Sequence, residues 1–131
     1  MKSASSFKRI LVVDDDPVQI KLMDKLLTGN GYTVMTATEA ADGLNIAMRD
    51  HPDLIILDVM MPVINGYNFC KLLKSEEKQK HIPIILLTSR DEKEDVEIGM
   101  EMGANAYLTK PINTDELLKT IKFVSSMPSK V

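Results

Sequence analysis

Four short apolar runs constrain this chain more than any other feature, because each stops abruptly at polar residues. The runs are Ile10-Leu11-Val12-Val13, Leu54-Ile55-Ile56-Leu57, Ile84-Ile85-Leu86-Leu87 and the weaker Ala106-Tyr107-Leu108. Unbroken apolar runs of this length suit strands covered on both faces, as in a parallel sheet. A fifth segment, Tyr32 to Ala37, alternates Val and Thr with larger groups and reads as a strand nearer an edge.

Helical patterns separate the runs. Asp16-Pro17 reads as an N-cap followed by proline at the first helical position, opening a helix that carries Ile20, Met23, Leu26 and Leu27 on one side and stops near Gly29. Ala40 to Arg49 reads as a second helix with Leu44, Ala47 and Met48 inward, and Asn65 to Ser75 as a third with Phe69, Leu72 and Leu73 inward. Lys93 to Met102 reads as a fourth, ending at Gly103. Asn113 with Glu116 resembles a capping box for a fifth helix holding Leu117, Leu118, Ile121 and Val124. Strand and helix alternate through five rounds. That order predicts parallel strands joined by right-handed crossovers, with helices on both faces.

The 131 residues suit one domain, and 44% hydrophobic content can fill its core. Residues 1–7 read as a flexible N-terminus, 8–125 as the domain and 126–131 as a tail or the start of a linker. A formal net charge of −3 argues against direct nucleic-acid binding, which normally needs a clustered basic face. Cys70 is the only cysteine, so no internal disulfide can form and a reducing, cytoplasmic setting is expected. Its place beside Phe69 and Leu72 reads as a buried apolar thiol. No apolar run approaches the ~20 residues of a membrane span. His51 and His81 read as surface residues.

The polar ends of the runs carry the chemistry. The first run ends in Asp14-Asp15-Asp16, the third strand in Asp58, the fourth in Thr88-Ser89 and the fifth in Thr109-Lys110. In open α/β sheets the carboxyl ends of the strands share one crevice. Three carboxylates gathered there repel, and a hard divalent cation such as Mg²⁺ relieves the conflict. Lys110 adds a positive charge for a phosphoryl oxygen and Thr88 a hydroxyl donor. An aspartate that attacks phosphorus needs these parts. Each residue alone has an ordinary alternative. Asp14 to Asp16 can serve a helix start, Asp58 a turn, Lys110 a solvated loop, Thr88 a strand end and Tyr107 a half-buried strand edge. The joint placement carries the argument.

These stretches, namely Ile10 to Pro17, Pro52 to Gly66, Ile82 to Ser89 and Gly103 to Pro111, resemble the bacterial response-regulator receiver family of two-component signalling. The resemblance runs from about Lys8 to Val124. It implies a doubly wound, flavodoxin-like (CheY-like) fold: a five-stranded parallel sheet of order 2-1-3-4-5 with five helices. It implies that Asp58 is the phosphoacceptor, that Asp15 binds Mg²⁺ directly, and that Asp14 supports the metal through water. It implies that the Met60 backbone carbonyl is a further ligand. Lys110 would contact the phosphoryl group, with its bond to Pro111 cis. Thr88 would move toward the phosphate, and Tyr107 would rotate inward with it. The partners implied are a sensor histidine kinase or phosphotransfer protein and a downstream effector protein or domain. No enzyme activity beyond the domain's own phosphorylation and dephosphorylation is expected. Ser89 departs from a frequent alanine, and Met60 and Arg90 fill places that vary between members.

Rival classes fit less well. A haloacid-dehalogenase-type hydrolase carries a second acid two residues after its nucleophile, where this chain has Met60. A flavodoxin-like FMN protein needs a Ser/Thr/Gly-rich phosphate loop after the first strand, where this chain has three aspartates. There is no GxxxxGK[ST] loop.

Overall fold

The computed structural model describes residues 7–61, 64–89 and 93–127, and the termini at 1–6 and 128–131 lie outside it together with Arg90. Five strands and five helices alternate: β1 (Arg9–Val13), α1 (Pro17–Gly29), β2 (Thr33–Ala37), α2 (Ala40–Asp50), β3 (Leu54–Asp58), α3 (Gly66–Lys74), β4 (Ile84–Thr88), α4 (Lys93–Glu101), β5 (Ala106–Thr109) and α5 (Thr114–Ser125). The strands form one sheet of order β2-β1-β3-β4-β5, and every neighbouring pair is parallel. The order reverses at β1, which places a switch point beside the central strands.

The unbroken apolar runs are explained by two hydrophobic clusters, one on each face. Leu11, Val13, Ile55, Leu57, Ile84 and Leu86 point into one, with Ala47 of α2 and Phe69, Cys70 and Leu73 of α3. Ile10, Val12, Leu54, Ile56, Ile85 and Leu87 point into the other, with Ile20, Met23 and Leu27 of α1 and Leu117, Ile121 and Val124 of α5. Successive residues of one strand thus serve opposite clusters, so all four positions of each central run, 10–13, 54–57 and 84–87, have to be apolar. β2 closes the sheet on one side and keeps only Ala37 fully buried. Phe7, which the sequence places in the loose terminus, packs half-buried against the second cluster.

Two core assignments made from the sequence are corrected. Met48 is 37% exposed and Leu72 47% exposed. The α2 stripe is Ala40, Gly43 and Ala47, and the α3 stripe is Gly66, Phe69, Cys70 and Leu73. Met48 and Leu72 each sit one residue off those stripes, about 100° around the helix.

The helix ends follow local chemistry. Asp16 Oδ1 accepts from the Val18 N–H at 2.9 Å ahead of Pro17, and Asn113 Oδ1 accepts from the Glu116 N–H at 2.9 Å. His51 ends α2 in the left-handed region, at φ 46°, and its Nδ1 lies 3.2 Å from Nε2 of the buried Gln79. Gly103 follows α4 at φ +108°, with the Lys74 side chain packed beneath it. Lys74 Nζ donates to the Lys80 and Ile82 carbonyls at 2.9 and 2.7 Å, which ties α3 to the approach of β4. Among the described residues no helix is long and apolar enough to cross a membrane.

Candidate functional site

The ends of β1, β3, β4 and β5 bring together the polar groups that terminate the apolar runs. Asp14 follows β1 and is fully buried, with its N–H donating to the Ala37 carbonyl at 3.1 Å. One carboxylate oxygen of Asp14 accepts from the Asp16 N–H at 2.9 Å, which orients the side chain where α1 begins. Asp15 between them is exposed. Asp58 is the last residue of β3 and is 4% exposed; its Oδ1 accepts from the Met60 N–H at 3.3 Å. Ligand atoms of Asp14, Asp15 and Asp58 all lie within 4.8 Å of one another.

Lys110 reaches this acidic group from the end of β5. Its Nζ lies 3.2 Å from Asp14 Oδ2 and 3.4 Å from Asp58 Oδ1. Its backbone N–H donates to the Thr88 carbonyl at 2.7 Å, so the last residue of β4 and the lysine are tied together. The Lys110–Pro111 peptide is cis. Thr88 is 5% exposed at the end of β4, and Ser89 beyond it is exposed. Tyr107, paired in register with Leu86, is 38% exposed. Met60 is 70% exposed on the loop after β3.

The electrostatics follow from burial. Removal from water and then the charge of Asp14 push the Asp58 carboxyl up to about 6, against an ordinary 3.8, with Lys110 and the Met60 N–H pulling the other way. Burial works against the Lys110 ammonium, but Asp58 and Asp14 outweigh it and hold the ammonium above its usual value. One cation thus stands between two buried carboxylates and leaves net negative charge in the crevice. A hard divalent cation fits that donor set: carboxylate oxygens from the buried Asp14 and Asp58, with a third carboxylate, Asp15, at the solvent side.

The crevice therefore brings together Asp14, Asp15, Asp58 and Lys110, with Thr88 tied to Lys110 through the main chain, and Tyr107 stays half-exposed on β5. Gly66 is the first residue of α3. Its N–H donates to the Val59 carbonyl at 2.9 Å, directly behind Asp58. The available signal was a glycine at a first helical position, where most residues are accepted.

Comparisons with known proteins converge on one family. The family model described as "Response regulator receiver domain" matches residues 10–122. Response regulator PleD of Caulobacter vibrioides is 42% identical over 114 residues, which are 87% of this chain and 25% of PleD. Protein PilH of Pseudomonas aeruginosa is 36% identical over 116 residues, 88% of this chain and 96% of PilH. The chain thus spans a quarter of one of these relatives and nearly all of the other. The receiver domain of the sensor histidine kinase PA1611 from Pseudomonas aeruginosa, solved with a magnesium ion coordinated in its active-site cleft, superposes with a TM-score of 0.85 at 29% identity. That match covers 93% of this chain and all of the other.

Proposed function

The chain belongs to the response regulator receiver domain family, and from that premise we propose that Asp58 accepts a phosphoryl group from a phosphohistidine and so switches a protein-binding face. The observation that carries this reading is the convergence of Asp14, Asp15 and Asp58 within 4.8 Å, with Lys110 Nζ bridging two of them. An Asp58 oxygen attacks phosphorus, the new P–O bond forms as the P–N bond to the donor imidazole breaks, and the imidazole leaves with the bonding pair. Asp58 is held for this by the Met60 N–H on one oxygen and by β3 on its backbone.

Asp14, Asp15, Asp58 and the Met60 backbone carbonyl would hold Mg²⁺, with Asp14 acting through water, and the ion when bound supplies positive charge against the phosphoryl oxygens. Lys110 places its ammonium on another phosphoryl oxygen. The Thr88 hydroxyl is drawn toward the same group, and Tyr107 turns inward from its exposed position behind it. The α4, β5 and α5 face then presents a different surface, and an effector that prefers one arrangement shifts the population. The phosphodonor is a sensor histidine kinase or a phosphotransfer protein, in a cytoplasmic setting. The domain catalyses its own phosphorylation and dephosphorylation and no other turnover.

The test is Mg²⁺-dependent uptake of labelled phosphate from a small acyl phosphate donor. Wild type incorporates label stoichiometrically, and chelation abolishes it. Asp58→Asn incorporates none; labelling of that variant at the wild-type level would sink the assignment.

A further inference from the structure

The chain leaving β3 is pinned to α3 at one carbonyl. Val59 O accepts from the Met61 N–H at 3.2 Å and from the Gly66 N–H at 2.9 Å. The first bond closes a three-residue turn around Met60. The second fastens that turn to the opening of α3. Met60 in turn gives its N–H to the Asp58 carboxylate at 3.3 Å. A short relay of main-chain contacts therefore runs from the start of α3 to the carboxylate.

Gly66 permits this contact by having no side chain. A Cβ there would stand 2.8 Å from Val59 Cα and 3.0 Å from the Asp58 carbonyl oxygen. Both are backbone atoms, so neither can swing aside as a flexible side chain would. Gly66 is not among the residues of positive φ, and a first helical position accepts most residues. Closeness alone therefore demands glycine. The same first turn of α3 is held in its seat by Asn65 Oδ1 accepting from the Asn68 N–H at 2.9 Å, so the cap and the Gly66 contact act on one turn.

We propose that Gly66 is a positioning residue for the phosphoryl-accepting site: by letting α3 rest directly on the Asp58–Val59 backbone, it fixes the turn that carries Met60. The inference rests on the reading of Asp58 and Met60 given above. An added methyl group must push α3 outward, lengthen the Gly66–Val59 bond and loosen the turn. The metal-binding carbonyl and the N–H that steadies Asp58 then lose their fixed place together.

Met60–Met61 is the only Met-Met pair in the chain. Labelling methionine with carbonyl ¹³C and amide ¹⁵N therefore gives one carbonyl-to-amide correlation that reports on this turn alone. Wild type, Gly66→Ala and Val124→Ala are compared without metal and through a Mg²⁺ titration; Val124 is buried on α5 in the cluster on the opposite face of the sheet from Val59 and Met61, so its change loosens the fold away from the turn. Gly66→Ala is expected to move the metal-free correlation and to raise the Mg²⁺ midpoint about tenfold, as loss of an outer support for a metal ligand does. The Val124→Ala control moves neither.

A correlation and midpoint for Gly66→Ala that coincide with the control's overturn the inference. If Gly66→Ala fails to fold, Asn65→Ala replaces it. That variant removes the cap without adding atoms and must shift the same correlation; an unmoved peak overturns the inference equally. A wild-type peak indifferent to Mg²⁺ would instead remove the metal from the proposed function, and the metal-free peak would still decide the role of Gly66.

Discussion

Replacing Asp58 by asparagine removes a charge that the folded protein resists holding. Burial and the neighbouring Asp14 put the Asp58 carboxyl at about 6, whereas an ordinary carboxyl sits at 3.8. A raised carboxyl has a definite effect on stability. Below pH 3.8 the group carries its proton in both the folded and the unfolded chain and costs nothing. Between 3.8 and 6 only the folded chain keeps the proton, so stability is lost as pH rises. Above 6 the loss is complete, about 3 kcal/mol at roughly 1.4 kcal/mol per pH unit. Asparagine has nearly the same shape, keeps an oxygen for the Met60 N–H and carries no charge. In chelator at pH 7.5, Asp58→Asn is therefore expected to be more stable by about 3 kcal/mol, which is roughly 10 °C in Tm for a domain of this size. At pH 4.5 the advantage shrinks to about 1 kcal/mol. Saturating Mg²⁺ stabilises only the wild type, by about 2.7 kcal/mol at a hundredfold excess over Kd, and closes most of the gap. Thermal melts by circular dichroism at the two pH values, with chelator and with Mg²⁺, measure all three quantities. A gap of equal size at both pH values, or an asparagine variant less stable at pH 7.5, would refute the reasoning.

Three further expectations follow from single contacts. Lys110→Ala removes the cation 3.2 and 3.4 Å from Asp14 and Asp58, so Mg²⁺ should bind more tightly, by about tenfold, while phosphate uptake falls; calorimetric titration showing weaker binding would count against the arrangement. Cys70 is fully buried and its thiol is pushed up to about 12 by burial, so at pH 8 the native chain should react with a disulfide reagent at least about a hundredfold more slowly than the urea-unfolded chain. Gly103→Ala forces a Cβ onto φ +108° and within 2.9 Å of Lys74 Cγ, and should lower stability by about 1–3 kcal/mol in a urea titration, with no change in Mg²⁺ affinity.

The strands were the most legible part of this fold because burial on both faces leaves only one kind of sequence. Ile55, Ile56 and Leu57 cannot be read as anything but interior, and they are wholly buried. The meeting of Asp14, Asp58 and Lys110 was legible for a related reason: each stands just beyond the end of an apolar run, where the strand ends share one crevice. The helix faces were read less well. Met48 and Leu72 are apolar neighbours of true stripe residues, and a sequence pattern of three or four residues does not fix the rotation of a short helix. Main-chain geometry was the least legible. The left-handed His51, the Lys74 bonds to the Lys80 and Ile82 carbonyls and the contact of Gly66 with Val59 depend on approach distances that tertiary packing sets. No local residue pattern announces them.

The two hydrophobic clusters divide the residues of the central strands between them, and the polar groups of the crevice begin one position beyond. Interior and chemistry therefore share almost no side chains. Exposed positions such as Val18 and Leu22 on α1 or Phe123 on α5 belong to neither set. A lineage carrying many duplicates of such a domain can alter those outer positions freely, with no core residue to refit and no carboxylate to re-aim. The helix exteriors can then diverge by surface mutation while the buried carboxylates beneath stay in place.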